Sequence, residues 1–267
     1  MLSFNNLGNL GRLANQMFQY ASLKGIATNR GFDYMVAPLS EFGKRDSNVR
    51  VFNEETIFHI FPNLENVKQG LSNNQLNYET GHDFDENLFN ECPDNTDLFG
   101  YYQTSKYFEH IEDEIRHDFK FKDSLIEACS DVMGKIKMDE KISLHIRRGD
   151  YIYNPNHPVQ PIEYYEKALD LLPKDILVYV FSDDSTWCHE QELFGGDRFL
   201  ISDQNSTDVD LCMMSMCDYH IIANSSFSWW GAWLAKSKKI IAPKDWFGAD
   251  CAFKSVTDMQ FGNWNWL

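Results

Sequence analysis

Hydrophobic and polar positions follow a regular pattern in the second half of the chain. Short apolar segments recur there and read KISLHI, DILVYVF, RFLIS, YHIIA and KKIIA. Stretches with the residue spacing of helices separate them, and these read PIEYYEKALDLL, STWCHEQEL, DVDLCMMSMC and SWWGAWLAKS. Short apolar runs that alternate with helical segments predict parallel strands joined by right-handed crossovers. The second half is therefore predicted to form a doubly wound parallel sheet.

The first half lacks this regularity and contains polar loops such as QGLSNNQLNYETGHD. The chain has 267 residues, enough for one large domain or two of about 130 each. Because the pattern changes near residue 140, we predict domains at 1–138 and 139–267. In parallel sheets, ligands bind beyond the carboxyl ends of the strands. The segments RRGD, SDD, DQN and NSS all follow predicted strands, so a nucleotide-type site is expected in the second domain.

The overall charge narrows the ligand classes. The formal net charge is −16, whereas a protein that binds nucleic acid needs a basic face and one that docks on anionic lipid needs basic clusters. Nucleic acid is therefore not an expected partner. Arginines that cluster in so acidic a chain are more consistent with the binding of one small anion.

The chain shows neither a signal peptide at its N-terminus, MLSFNNLGNLGRLANQ, nor an apolar window of the roughly 20 residues that span a membrane. Its six cysteines form no C-x-x-C pair, which is typical of free thiols in a reducing compartment. We therefore expect no transmembrane segment and a cytoplasmic location, either free or peripheral to the inner face of a membrane.

The candidate anion site centres on HIRRGD. His145 and Arg147 share one face of a predicted strand, and the planar fork of Arg147 can bind two phosphate oxygens. Arg148 faces differently, so it either binds phosphate or pairs with a carboxylate. A solvated surface doublet is the alternative for the two arginines.

Two further segments could contribute to this site. Asn224, Ser225 and Ser226 follow a strand and start a helix, an arrangement that directs backbone N–H groups at an anion, although an ordinary serine N-cap over a Trp-rich core helix fits equally. The glycine-containing stretch GNLGRLANQ precedes a helical segment but matches neither G-x-G-x-x-G nor the P-loop, so nucleotide hydrolysis is not predicted.

Taken together, GRLANQMFQYA, GYYQTSKYF, HIRRGDY, FSDD and DLCMMSMCDYHIIANSSFSWWGAWL resemble the signature stretches of the GDP-fucose-dependent alpha-1,2-fucosyltransferases, glycosyltransferase family 11. The resemblance implies an α/β fold of the GT-B type, with two Rossmann-like domains facing a cleft. Residues 1–138 would bind the acceptor and 139–267 would bind GDP-fucose, with the last segment packing back on the first domain. The implied reaction is an inverting, metal-independent transfer of L-fucose to the 2-hydroxyl of a terminal galactose, on an oligosaccharide or lipid-linked glycan, with no cofactor.

The resemblance also implies roles for residues around the phosphates. Arg147 would bind the β-phosphate, His145 would line the donor site, and both are predicted to be catalytic. Arg148, Ser225 and Ser226 are predicted to bind the donor, the two serines through its phosphate oxygens.

Further implied roles lie outside this cluster. Asp210 would accept the N–H groups of guanine, and Asp184 and Asn15 would also contact the donor. Family members usually carry Gly where this chain has Ala14, so a positive φ there would be strained. Asp150 is the candidate catalytic base; pairing with Arg148 or capping the loop is the alternative.

Two readings compete with this one. Arg148–Asp150 spells RGD, an adhesion sequence, but it directly follows a predicted buried strand rather than forming a loop tip. Alternatively, Asp183 and Asp184 could clamp a divalent cation in a metal-dependent glycosyltransferase that uses another nucleotide sugar. The acceptor is expected to contact the first domain and the YIYNPNHPVQP loop, where Tyr151 and Tyr153 could stack on a sugar.

Overall fold

The computed structural model describes residues 1–44, 56–135, 139–203, 206–251 and 255–267. Contacts divide the chain into two compact units: unit 1 comprises Met1–Lys122 and Ser255–Gln260, and unit 2 comprises Asp123–Lys254 and Phe261–Leu267. The sequence-based boundary lay at 138/139. The structure assigns the helix Asp123–Met133 to unit 2, because it packs against the helix Thr207–Ser215 of that unit.

Unit 1 is an α/β unit. Its strands are β1 (Leu2–Phe4), β2 (Tyr34–Val36), β3 (Gln75–Tyr78) and β4 (Thr96–Phe99), and its helices are α1 (Leu13–Arg30), α2 (Ile57–Ile60), α3 (Glu86–Glu91) and α4 (Glu112–Asp118). Among the described residues, the strands form a parallel four-stranded sheet in the order β2-β1-β4-β3. The predicted Rossmann-like character of this half is therefore confirmed, although its individual strands were not predicted.

Helix α1 packs against this sheet. It ends at Gly31, whose φ of 68° is the left-handed conformation that commonly closes a helix and that glycine adopts without strain. Ala14 is the second residue of α1, and the non-glycine residues with positive φ in the described chain are Asn95, Tyr102 and Lys236. The backbone strain expected at Ala14 is therefore absent, because this position is helical.

Unit 2 holds the second sheet. Its strands are β5 (Lys141–Ile146), β6 (Leu177–Ser182), β7 (Phe199–Ile201), β8 (Tyr219–Ile221), β9 (Lys239–Ala242) and β10 (Trp264–Trp266). Its helices are α5 (Asp123–Met133), α6 (Ile162–Asp170), α7 (Ser185–His189), α8 (Thr207–Ser215) and α9 (Ser226–Leu234). The described strands pair in parallel in the order β10-β9-β8-β5-β6-β7, which confirms the predicted doubly wound sheet.

The core of unit 2 follows from the apolar runs. Every residue of β5 after Lys141 is buried, as expected for a central parallel strand covered on both faces. Ile142, Leu144, Val178 and Val180 pack in one cluster with residues of α6. Helix α9 contributes three buried tryptophans, Trp229, Trp230 and Trp233, so the Trp-rich segment is part of the core.

In the described part of the chain, no helix combines the length and the apolar character needed to cross a membrane.

Candidate active site

The sheet of unit 2 has a topological switch point at its centre. From β5 the chain continues outwards through β6 and β7, then returns to the other side of β5 as β8. Ligands of open α/β sheets bind in the crevice beyond such a point. The segments that emerge there are Arg147–Gly149 after β5 and Asn224–Ser226 after β8.

Strand register explains how the charged residues meet. Ile146 pairs with Ser182 across β5 and β6. Continuing this parallel register places Arg147 beside Asp183 and Arg148 beside Asp184. Both ion pairs are present, each with an N–O distance of 3.0 Å.

Arg147 carries a guanidinium that two carboxylates hold. Its Nη1 pairs with Asp183 and its Nη2 donates to Asp150, one turn further along the chain. Its guanidinium carbon also lies 5.3 Å from the centre of the Tyr151 ring. The side chain is 18% exposed, so the fork is fixed in direction yet reachable from solvent.

Arg148 pairs with a carboxylate, which is one of its two predicted roles, but the partner is Asp184 rather than Asp150. Its Nε donates to Asp184 at 3.0 Å, its guanidinium stacks 4.2 Å from the centre of the Trp187 ring, and its backbone N–H donates to Asp183 Oδ1 at 2.9 Å. The correction follows from strand alternation, because Arg147 and Arg148 point to opposite sides. Trp187, which the sequence reasoning missed, lies three residues after the helix-capping Asp184.

Asp183 leaves no room for a side chain at the next position of the RRGD turn. A Cβ added to Gly149 would lie 2.4 Å from Asp183 Oδ2, so only glycine fits there without movement. Arg148 and Asp150, the ends of the RGD triplet, are both engaged in ion pairs within the unit. These contacts do not fit the adhesion reading, which requires a free loop tip.

His145 connects the two sides of the switch point. It is 4% exposed, and its Nδ1 lies 3.0 Å from Ser228 Oγ on helix α9. Burial, and secondarily the charge of Arg147, lowers the pKa of His145 to about 3. The imidazole is therefore neutral at ordinary pH, and its geometry suits orientation of α9 rather than proton transfer.

Helix α9 begins at the site with a serine cap. The Ser225 hydroxyl accepts from the N–H of Phe227 at 3.3 Å, so the N-cap reading of this residue is confirmed. Ser226 is the first residue of the helix. The preceding Asn224 anchors the loop, because its Nδ2 donates to the carbonyls of Pro158 and Trp246, each at 3.0 Å.

The two tyrosines of the following loop differ in availability. The ring of Tyr151 stacks on His157 at 5.1 Å and lies beside Arg147, and its hydroxyl donates to the Asn224 carbonyl. Tyr151 therefore packs the site from within. Tyr153 is 89% exposed and remains available for stacking.

The other predicted donor residues lie apart from this cluster. Asp210, on α8, accepts from Ser202 Oγ at 2.7 Å just beyond the end of β7, two strands from β5. Asn15 belongs to unit 1, where its Oδ1 accepts from Gln103 Nε2 at 2.7 Å. Gln204 and Asn205 of the predicted DQN segment lie outside the described residues.

The carboxylates at the site are already engaged by cations and N–H groups. Asp183 binds Arg147 and the Arg148 N–H, and Asp184 binds Arg148 and caps α7 through the Trp187 N–H. Among the described residues, no group of three or more His, Cys, Asp or Glu side chains converges as a metal site. At this site, therefore, Asp183 and Asp184 act as partners of guanidinium groups and backbone N–H donors.

Two α/β units, each built on a parallel sheet, with charged residues at the switch point of the second, are the features of the GT-B fold class. The protein-family model described as glycosyl transferase family 11 matches residues 3–267. The chain belongs to this family.

Curated relatives agree with this membership. The chain is 32% identical to an alpha-1,2-colitosyltransferase of Escherichia coli, over 89% of this chain and 90% of the relative. It is 34% identical to the O-antigen biosynthesis glycosyltransferase WbnK of Escherichia coli, over 60% of this chain and 58% of the relative. It is 24% identical to galactoside alpha-(1,2)-fucosyltransferase 2 of Sus scrofa, over 86% of this chain and 69% of the relative.

Solved structures confirm the fold. The fucosyltransferase NodZ from Bradyrhizobium matches with a TM-score of 0.52 at 15% identity, covering 86% of this chain and 92% of that one. POFUT1 in complex with GDP-fucose matches with a TM-score of 0.53 at 11% identity, covering 88% and 94%.

Proposed function

We propose that the chain is an inverting glycosyltransferase that moves L-fucose from GDP-fucose to the 2-hydroxyl of a terminal galactose on an oligosaccharide or lipid-linked glycan. Family membership supports sugar transfer. The names of two relatives, a colitosyltransferase and a galactoside fucosyltransferase, both specify an alpha-1,2 linkage. The structural neighbour POFUT1 was solved with GDP-fucose.

The observation that carries the proposal is the fixed fork of Arg147 at the carboxyl end of β5. In the reaction, the acceptor oxygen forms a bond to fucose C1 while the bond from C1 to the β-phosphate oxygen breaks. The bonding electrons leave with GDP, so negative charge grows on the phosphate. A guanidinium already held in place stabilises that charge with little reorganisation.

The carboxylates around Arg147 give this proposal a further step. Arg147 and Arg148 carry two positive charges, whereas Asp150, Asp183 and Asp184 carry three negative ones. The cluster therefore binds a phosphate only if one of these carboxylates first gives up its arginine. Asp150 is its most exposed carboxylate, at 53%. When the donor binds, its β-phosphate would replace Asp150 on the Arg147 guanidinium. The released Asp150 carboxylate could then accept the proton of the attacking hydroxyl.

The remaining assigned residues complete the donor site. Ser225 and Ser226, at the start of α9, would bind phosphate oxygens with help from the helix N-terminus. Asp210, Asp184 and Asn15 keep their proposed donor roles, and neutral His145 would act by holding Ser228. We propose that no metal is required and that the enzyme works in the cytoplasm.

The identity of the donor sugar has a second candidate. The relative that matches 89% of this chain is named a colitosyltransferase. Colitose is L-fucose without its 3-hydroxyl, so both sugars suit the same diphosphate and guanine contacts. GDP-colitose is therefore the alternative donor.

A donor comparison tests the proposal. Transfer to a galactose-terminated oligosaccharide should be measured with GDP-fucose, GDP-colitose, GDP-mannose and UDP-galactose at equal concentrations. GDP-fucose is expected to give the largest kcat/KM. A preference for GDP-colitose would change the sugar but keep the site, whereas transfer only from the UDP-sugar would contradict the assignment of the nucleotide pocket.

A further inference from the structure

Arg147 loses one of its supports in the proposed exchange. Its guanidinium contacts Asp183 through Nη1, Asp150 through Nη2 and the ring of Tyr151, whose centre lies 5.3 Å from the guanidinium carbon. When Asp150 leaves, the ion pair with Asp183 and the contact with Tyr151 remain. One ion pair at one nitrogen lets the guanidinium pivot about that contact, whereas the proposed reaction needs a fixed fork. The Tyr151 ring is the second contact that can prevent this movement.

The Tyr151 side chain can support the arginine without competing with a phosphate. An aromatic ring attracts a cation through its face and adds no negative charge to the cluster. Asp150 and Asp183, in contrast, occupy N–H groups that a phosphate would use. The Tyr151 hydroxyl donates to the backbone carbonyl of Asn224 at 3.1 Å, so the phenol is protonated and uncharged. Tyr151 can therefore hold Arg147 both before and after the donor binds.

Tyr151 keeps its own position without help from the adjacent Asp150. Its hydroxyl is bound to the Asn224 carbonyl, and its ring stacks on His157 with the ring centres 5.1 Å apart and the planes 17° apart. A side chain fixed at both its tip and its face has little freedom to move. Release of Asp150 therefore leaves the Tyr151 ring anchored.

The groups behind Tyr151 are themselves fixed. Asn224 is 1% exposed, and its Nδ2 donates to the carbonyls of Pro158 and Trp246, each at 3.0 Å. The Gly248 N–H donates to the Asn156 carbonyl at 2.9 Å. The anchor of Tyr151 is thus shared by three segments, which are the end of β8, the loop before α6 and the loop after β9.

The anchoring carbonyl lies one residue before the serines that are proposed to bind phosphate. Asn224 directly precedes Ser225 and Ser226, which begin α9. Tyr151 therefore connects Arg147, at the end of β5, with the segment that follows β8. These two segments form the two sides of the switch point. Through this connection, Tyr151 fixes the spacing between the guanidinium and the serines.

We infer that Tyr151 is a positioning residue of the leaving-group site. It holds the Arg147 guanidinium at a fixed distance from the start of α9 while the β-phosphate replaces Asp150. Tyr151 acts through Arg147 and does not touch the reacting atoms. This inference rests on the proposed function, because the exchange of Asp150 is part of that proposal.

Two substitutions of Tyr151 test this role. Tyr151→Phe removes only the hydroxyl that binds the Asn224 carbonyl, and Tyr151→Leu also removes the ring beside Arg147. We expect kcat to fall about fivefold in Tyr151→Phe and about 30-fold in Tyr151→Leu. GDP affinity should change no more than about threefold, because a fixed guanidinium matters most while charge develops on the phosphate.

Tyr219 provides a matched control in the same unit. It lies at the start of β8, the opposite edge of the sheet from the site. Lys238 Nζ lies 5.8 Å from the centre of its ring, and its hydroxyl donates to Glu140 at 3.1 Å. Tyr219→Phe and Tyr219→Leu therefore remove the same kinds of contact away from Arg147. Both control variants should leave kcat unchanged.

A double-mutant cycle separates positioning from a purely structural role. Arg147→Lys lacks the fork that Tyr151 positions, so adding Tyr151→Leu to it should lower kcat by no more than about a further threefold. A residue that only stabilises the fold would cause the same loss in both backgrounds. Equal losses in folded proteins, or an unchanged kcat in Tyr151→Leu alone, overturn the positioning role.

The order of the Arg147 side chain tests the inference without any substrate. Asp150→Ala imitates the released state, and NMR relaxation of the arginine Nε–H groups reports whether each guanidinium is held. We expect Arg147 to stay ordered in Asp150→Ala and to become mobile when Tyr151→Leu is added. Arg148, which has its own carboxylate and ring partners, should stay ordered in both proteins and thereby verifies their folding.

The NMR measurement distinguishes failure of this inference from failure of the proposed function. An Arg147 side chain that stays equally ordered without Tyr151 overturns the positioning role, whatever the activity. Loss of order in a protein that transfers no fucose supports the positioning role, and the proposed function then fails alone. If Tyr151→Leu does not fold, Tyr151→Phe takes its place, and unchanged kcat together with unchanged Arg147 order in that variant overturns the inference.

Discussion

Replacing Arg147 with lysine separates the role of charge from the role of geometry. The guanidinium spans two partners, with Nη1 at 3.0 Å from Asp183 and Nη2 bonded to Asp150. Lysine keeps one positive charge but has a single nitrogen, so it cannot reproduce this fork or hold a phosphate in two-point contact. Arg147→Lys therefore tests whether the fixed fork stabilises the leaving group.

Arg147→Lys should change kcat and GDP affinity by different amounts. Loss of one preorganised donor at developing charge typically costs about 10²- to 10³-fold in kcat. A partly solvent-exposed ion pair contributes only about 0.2 to 1 kcal/mol in the ground state, so GDP affinity should fall no more than about fivefold. We expect Arg147→Lys to lose about 100-fold in kcat with a much smaller change in GDP affinity.

Arg148→Lys is the matched control. The Arg148 guanidinium pairs with Asp184 and stacks on the Trp187 ring. Loss of these contacts in Arg148→Lys should lower the melting temperature and reduce kcat less than tenfold. The assay is kcat at saturating substrates, with GDP affinity by calorimetry and folding by thermal melt. Near-normal kcat in folded Arg147→Lys, with a large loss in Arg148→Lys, would refute this reasoning and move the leaving-group role to Arg148.

Other predictions concern stability, base recognition and metal. Burial lowers the pKa of His145 to about 3 and that of His220 to about 4, from an ordinary value of about 6.5. Below pH 6.5 these two histidines bind protons in the unfolded chain but stay neutral in the folded chain. The free energy of unfolding should therefore fall by about 2 kcal/mol per histidine between pH 7 and pH 5. Denaturant titrations at pH 7 and 5 measure this loss, and His220→Asn should remove about half of it; equal losses in both proteins would contradict the assignment. Asp210→Ala should weaken GDP and narrow the gap between GDP and UDP, whereas unchanged GDP affinity by calorimetry would rule out guanine recognition by this residue. Activity should survive excess EDTA; loss that manganese restores would favour the Asp183–Asp184 clamp.

The fold of unit 2 could be predicted because its central strands are buried on both faces and read as continuous apolar runs. Strand β10, with the sequence WNW, was missed since three residues at the end of the chain give no periodicity. The strands of unit 1 were missed for a related reason. They span three or four residues, and β3, QLNY, is mostly exposed and carries no apolar stripe.

The sequence predicted that the charged residues of the site lie at the ends of strands, but it did not predict which of them form ion pairs. The pattern placed arginines after one strand and aspartates after the next. Which arginine pairs with which aspartate depends on the register of β5 against β6, and in strands buried on both faces the hydrophobic pattern specifies that register only weakly. The neutral state of His145 likewise depends on burial between the strand and α9, which becomes known only once the helix is placed.

The cavity at the ends of β3 and β4 had no sequence signal of its own. Its environment combines residues from β3, from the loop after β4 and from the turn at Tyr107, which are far apart in the chain. Only the folded unit brings these groups around one cavity. Sequence reasoning assigned the acceptor to the first domain through family resemblance alone.

The central claim is an inverting transfer of fucose to O-2 of galactose, and the structure of the reaction product tests it most directly. Purified protein should be incubated with GDP-β-L-fucose and a neutral galactose-terminated oligosaccharide, and the product linkage determined by NMR. The account predicts a single α-L-fucosyl residue on O-2 of the terminal galactose. A β-linked product, or fucose on a different hydroxyl, would contradict it.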